Sequence, residues 1–114
     1  MFKAVHYSEV PNEEVEEEGA KKVQVRWLIS EKDGAENFAM RCFEVDPGGQ
    51  TPKHSHDWEH ESFILSGEGV VFCEGKKQKV SQGYVIFIPP KAEHYFKNTG
   101  KKKMVFLCLI PYKK

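Results

Sequence analysis

From Val23 onward the chain alternates. Val23, Val25, Trp27 and Ile29 take every second position, separated by Gln24, Arg26 and Leu28. A period of two predicts a strand with one buried face. Lys32-Asp33-Gly34 predicts a turn. Residues 37–45 read as a second strand with Phe38, Met40 and Cys42 on one side, and Asp46-Pro47-Gly48-Gly49 reads as a strong break. Further short strands are predicted over 62–65, 70–73, 78–80, 84–88, 94–97 and 104–110. Glu74-Gly75-Lys76-Lys77 has the composition of a hairpin turn, Pro89-Pro90 stops one strand, and Asn98-Thr99-Gly100 joins the last two. Strands that recur about every 8–12 residues between Gly, Pro and Asn predict an all-β antiparallel sandwich or barrel. The chain shows no internal repeat, low-complexity tract or linker.

The first 22 residues lack this pattern. Val15 is the only apolar side chain among the glutamates of 13–18, so no stable helix is predicted there, and the acidic run reads as a solvated turn or helix end. The expected organisation is one domain over 1–114, with a barrel core at about 23–111 and an N-terminal extension over 1–22.

The chain has 114 residues, enough for one core. Seventeen basic and seventeen acidic residues cancel, so no strong field draws nucleic acid or an anionic membrane. No run approaches the roughly 20 apolar residues of a membrane helix, and the first residues lack the apolar core of a signal peptide. A cytoplasmic location is the expectation. Cys42, Cys73 and Cys108 are widely spaced in strand-like runs, the pattern of buried reduced thiols.

Four of the five histidines fall in two segments, 48–67 and 83–98: His54, His56, His60 and His94. Imidazole is the commonest protein ligand for a transition metal and binds when neutral. His54 and His56 are two apart, so on a strand both point to one face. The three residues between His56 and His60 leave room to bring a third ring back, and His94 arrives from a distant strand. His6, alone near the N-terminus, reads as a surface histidine.

These segments resemble the cupin superfamily, small β-barrels with a metal inside. The first cupin motif runs Gly, five residues, His-x-His, three or four residues, Glu, six residues, Gly. Gly48, His54, His56, position 60 and Gly67 fit its shorter spacing. The second runs Gly, five residues, Pro-x-Gly, two residues, His, three residues, Asn. Gly83, Pro89, His94 and Asn98 fit it, with Lys91 in the central Gly slot. The first motif's carboxylate slot holds His60. A shifted register would make Glu61 the ligand, but the closing Gly would then fall on Glu68. The likeness is nearest to small single-domain cupins with four histidine ligands, typified by a manganese-binding bacterial cupin.

The resemblance implies a double-stranded β-helix, jelly-roll-like, holding a divalent metal on His54, His56, His60 and His94. Manganese or iron is implied first, with zinc or nickel possible by affinity. Four neutral imidazoles leave the ion's charge uncompensated and positions open for substrate or dioxygen. The leading expectation is a metal-dependent oxygenase acting on a small apolar or aromatic substrate. A metal-dependent isomerase or decarboxylase, and a non-catalytic module that binds a small ligand, are the alternatives. No catalytic residue separates from the metal ligands. Phe106, Cys108, Trp58 and Ile64 are the lining candidates. Glu59 or Glu61 would orient a ligand histidine if not solvent-facing. Arg26 and Arg41, the only arginines, are placed outside by their neighbours; either one facing inward would argue for a carboxylate substrate. A homodimer is also implied, with 23–29 as the interface.

Overall fold

The computed structural model describes residues 2–112. Nine strands carry the fold: β1 (Glu13–Glu14), β2 (Lys21–Ile29), β3 (Phe38–Gln50), β4 (His60–Ser66), β5 (Glu68–Cys73), β6 (Lys76–Ser81), β7 (Val85–Ile88), β8 (His94–Lys97) and β9 (Met104–Pro111). They form one curled antiparallel sheet in the order β6-β5-β8-β3-β9-β4-β7, with β2 on the other edge of β3 and β1 paired to β2. This is the predicted all-β barrel. The helical content among the described residues is two single turns, Tyr7–Glu9 and Glu31–Asp33. The second ends on Gly34 at φ +93°, the predicted turn glycine.

The break expected at 46–49 is instead a bend inside β3. Val45 pairs with Val23 of β2 and Gln50 with Lys21, so five steps on β3 answer two on β2. The extra residues form a bulge that sharpens the local twist. Gly49 sits where a Cβ would lie 2.5 Å from the Lys21 carbonyl oxygen. Beyond the bulge β3 leaves β9, which pairs with 38–45, and meets β8 at Gln50↔Lys97. One long strand thereby carries the chain from one side of the barrel to the other.

The bulge and the turn after β8 are tied by Asn98, whose residual exposure is 1%. Its amide nitrogen donates to the carbonyls of Val45 (2.7 Å) and Lys102 (2.8 Å), and its Oδ1 accepts from Gly100 N (2.8 Å). The Asn that ends the second motif is therefore a backbone clamp. The β5–β6 hairpin turns on Glu74-Gly75, both at positive φ, as two-residue hairpin loops demand.

Alternation decides what fills the barrel. Met104, Phe106 and Cys108 of β9 and Ile64 of β4 turn inward beside Val23, Val45, Val71, Val80, Ile88 and Phe96. Phe106 stacks on Phe96 (4.4 Å between ring centres) and on Phe43 (5.4 Å). The sequence puts Phe38, Met40 and Cys42 on the apolar side of β3; the structure turns the odd positions in. Ala39, Phe43 and Val45 face the interior with Arg41 among them, while Phe38 is exposed. Cys42 is buried as well, but on the other side of the sheet with Glu44 and Arg26. The N-terminal segment covers that side: the Arg26 guanidinium donates to the carbonyls of Ser8 (3.3 Å) and Val10 (2.5 Å) and pairs with Glu44 at 3.2 Å. A partly polar back face hid the true inner stripe from a reading of periodicity alone.

Candidate metal centre

Positions 51–60 continue the two-residue period without forming a ladder. His54, His56, Trp58 and His60 point inward, and Lys53, Ser55, Asp57 and Glu59 are exposed. Between His56 and His60 the chain bends at Asp57 and Trp58, as the spacing allowed, and returns the His60 ring to the cluster. His54 meets His94 in an isolated antiparallel bridge, exchanging N–H···O bonds of 3.2 and 2.9 Å. The Lys91 amide donates to the His56 carbonyl. Lys91 holds φ +69°, the left-handed backbone for which the motif uses glycine. The glutamates beside His60 stay outside: both Glu59 and Glu61 are exposed.

The four rings form one cluster. Ring centres lie 4.2 Å apart for His54 and His56, 5.0 Å for His54 and His94, 5.0 Å for His56 and His60, and 4.9 Å for His60 and His94. One ligand nitrogen from each of His54, His56 and His94 falls within 4.8 Å of the other two. His60 stands outside that tighter trio, its ring 5.0 Å from His56 and 4.9 Å from His94.

The outward nitrogens show which atoms are free. His94 Nδ1 lies 2.8 Å from the Ala92 carbonyl, which can only accept, so Nδ1 carries the proton and Nε2 keeps its lone pair. His54 Nδ1 lies 3.0 Å from Glu17 Oε2, with the same consequence. His60 Nδ1 lies 3.2 Å from Cys108 Sγ, and its Nε2 is buried with no hydrogen-bond partner. A buried ring nitrogen without a partner is costly unless something absent from the chain's own atoms binds there. The residues fit a divalent cation, with imidazole nitrogens facing one another and acceptor-capable.

Burial also favours the neutral form of His56, His60 and His94. Desolvation pushes the His60 pKa down to about 3, helped by the positive charge of Arg41, and the His56 pKa down to about 4, helped by His54. His94 is lowered by the same burial, against a hydrogen bond to Ala92. Neutral histidine is the metal-binding form, so the fold supplies it without competition from protons near neutrality.

A cavity of about 260 Å³ opens above His54, His60 and His94. Phe106 and Cys108 line it. The other two lining candidates are elsewhere. Ile64 is fully buried in the core, and Trp58 stacks flat on the far side of His56, 4.6 Å between centres and 5° between planes. Two parts of the wall depart from the sequence expectation. Arg41 faces in, its Nη2 donating to Cys108 Sγ at 3.1 Å. The acidic run is not simply a solvated turn, because Glu13 and Glu14 pair with β2, and Val15, Glu16 and Glu17 lie across the cavity. No local signal marks either part; both become visible only when β3 and the N-terminal strap are in place. His6 caps the first helical turn and takes no part in the cluster.

The barrel agrees with the comparisons. The cupin domain family model matches residues 41–110, and the chain belongs to that family. It is 34% identical over 96 residues to an oxalate-binding protein of Thermotoga maritima, covering 81% of this chain and 78% of that one. Among solved structures, the polyketide cyclase RemF of Streptomyces resistomycificus superposes with a TM-score of 0.93 at 39% identity, over 99% of this chain and 81% of the other. A predicted oxalate decarboxylase from Thermotoga maritima superposes with a TM-score of 0.87 at 28% identity, over 97% and 100% of the two chains. Among the described residues no helix is long and apolar enough to cross a membrane.

Proposed function

We propose that the protein is a metal-dependent cupin enzyme in which His54, His56, His60 and His94 hold one divalent ion at the floor of the cavity. The observation that carries this reading is the His60 Nε2 atom, buried without a partner beside the His56 and His94 rings, with the Nδ1 of His94 already engaged by the Ala92 carbonyl. Such an ion, when bound, acts as a Lewis acid on a carbonyl or carboxylate oxygen. The chain's own contribution is orientation and shelter. Glu17 and the Ala92 carbonyl fix two ligand rings, and Trp27, Phe43, Phe96 and Phe106 wall the cavity.

Within that class, we favour chemistry that needs no oxidant: cyclisation, isomerisation or decarboxylation of a small enolisable substrate. An inward guanidinium and a 39% identical polyketide cyclase both support it. The oxygenase is the second reading, supported by the aromatic walls, which suit an apolar substrate and exclude water. Manganese and iron remain the proposed ions, with zinc and nickel as substitutes. Protein loaded with each metal and given phenols, β-diketones and β-keto acids separates the readings. Oxygen uptake with oxygen in the product identifies the oxygenase; loss of water or carbon dioxide, or a rearranged isomer, without oxygen uptake identifies the other. Turnover that survives His60→Ala with unchanged metal content refutes the four-histidine centre, and binding without turnover under every metal leaves a ligand-binding module.

The homodimer also stands as a proposal, but not through the whole of 23–29. Val23 and Val25 face the core, Trp27 and Ile29 are exposed, and further exposed apolar side chains stand on β4 and β7 as Phe63, Val85 and Phe87. A monomer in sedimentation at micromolar concentration refutes it.

A further inference from the structure

The two arginines of the chain are treated in opposite ways. Arg26 lies 3.2 Å from Glu44 and donates to two backbone carbonyls, so its charge is compensated. Arg41 has no carboxylate within ion-pair reach among the described residues. Its recorded hydrogen bond goes to the sulfur of Cys108, a weak acceptor, and its Nε is buried with no partner. The guanidinium is nonetheless held in place. Its central carbon lies 4.9 Å from the Phe43 ring centre and 5.5 Å from that of Trp27, both cavity walls.

Arg41 is only partly buried, but a half-buried cation without a counter-charge is still costly unless a ligand completes it. The acids of the cavity do not. Glu17 is engaged by His54, and Glu16 is exposed at the rim. The positive field reaches the histidine cluster, where Arg41 helps to lower the pKa of His56, His60 and His94. One sulfur atom separates the guanidinium from the His60 ring: Cys108 Sγ lies 3.1 Å from Arg41 Nη2 and 3.2 Å from His60 Nδ1.

We propose that Arg41 is the anion-binding residue of this cavity, and that the substrate is a small, partly unsaturated carboxylic acid. Its carboxylate meets the guanidinium fork, and its apolar body lies against Phe43 and Trp27. Arg suits that task because its planar donors match both carboxylate oxygens. The inference deepens the metal-enzyme reading and rests on it only for which end of the substrate reacts.

Salicylate and its neutral amide, salicylamide, test it, because they differ chiefly in the charge of one group. Binding is measured by calorimetry and ligand-observed NMR on the metal-free protein and on the zinc-loaded protein. The expected result is that metal-free wild type binds salicylate at least about tenfold tighter than salicylamide, the yield of one charge-assisted contact. Arg41→Gln removes the preference, and Arg41→Lys keeps part of it because the charge survives without the fork. Thermal unfolding of each variant confirms that it is folded, and Cys108→Ser, which spares the guanidinium, retains the preference. Equal affinity for acid and amide, binding of neither, or a preference that survives Arg41→Gln overturns the inference. Zinc titration of wild type reports separately on the histidines: failure to bind zinc refutes the metal reading and leaves the anion preference of the metal-free protein standing.

Discussion

Glu17 Oε2 lies 3.0 Å from His54 Nδ1, joining the N-terminal strap to a ring of the histidine cluster. The contact fixes which nitrogen of His54 is free and, through Val15, Glu16 and Glu17, holds the strap across the cavity. A carboxylate behind a ligand histidine orients the ring and raises its basicity.

Removing that carboxylate weakens metal binding without unfolding the barrel. Glu17→Ala is expected to lower zinc affinity by about tenfold, the lower end for such partners because the Glu17 side chain is half exposed. Competition against a chelating dye measures it. Affinity equal to wild type shows that the strap does not support the site.

Metal-free protein loses stability as the pH falls below about 6.5. His56 and His60 are neutral in the fold, with pKa values lowered to about 4 and about 3 from an ordinary 6.5. The unfolded chain therefore binds more protons in that interval, and the linkage slope favours unfolding on acidification. The histidine contribution is complete above pH 6.5 and lost progressively towards pH 4 and then 3. Thermal midpoints at pH 7.5 and 5.0 report it, and the drop is smaller in His60→Gln. An equal drop in both proteins assigns the acid sensitivity to other groups.

Asn98→Ala removes three hydrogen bonds at a buried junction. The expected loss is about 2–4 kcal/mol, counting about 1 kcal/mol for each bond and a further penalty for stranded backbone groups. Chemical denaturation reads it directly. A loss below 1 kcal/mol excludes the clamp as a stability element.

Lys91→Gly stabilises the fold by up to about 1 kcal/mol. The left-handed backbone at φ +69° costs a side-chain-bearing residue about 1–2 kcal/mol, partly offset by the larger entropy of glycine in the unfolded chain. Metal affinity is unchanged, because Lys91 contributes its backbone N–H to His56 and that bond survives the substitution. A shift in metal affinity reveals a role for the lysine side chain.

Much of the barrel was legible because alternation and turn residues are local. β8 was predicted residue for residue, and most other strands differ by one to three residues at their ends. The exception with consequences is β3. Gly48 and Gly49 resemble a chain break, but close approach to Lys21 makes them a bulge that continues the strand. The face of β3 was misread for a related reason: Cys42 is as buried as Val45, though they lie on opposite sides. Burial of both faces erases the contrast on which alternation depends.

The sequence by itself determined the class of fold and the common face of His54 and His56, because alternation and a histidine spacing of two are local strand geometry; His60 and His94 joined that set through the likeness to the cupin motifs. Only the tertiary structure decided what surrounds that set. Arg41 reaches His60 through Cys108, 67 positions away along the chain, and Glu17 reaches His54 across 37. Contacts of that separation depend on sheet register and on the path of the strap. Neither leaves a trace in the pattern of neighbouring residues.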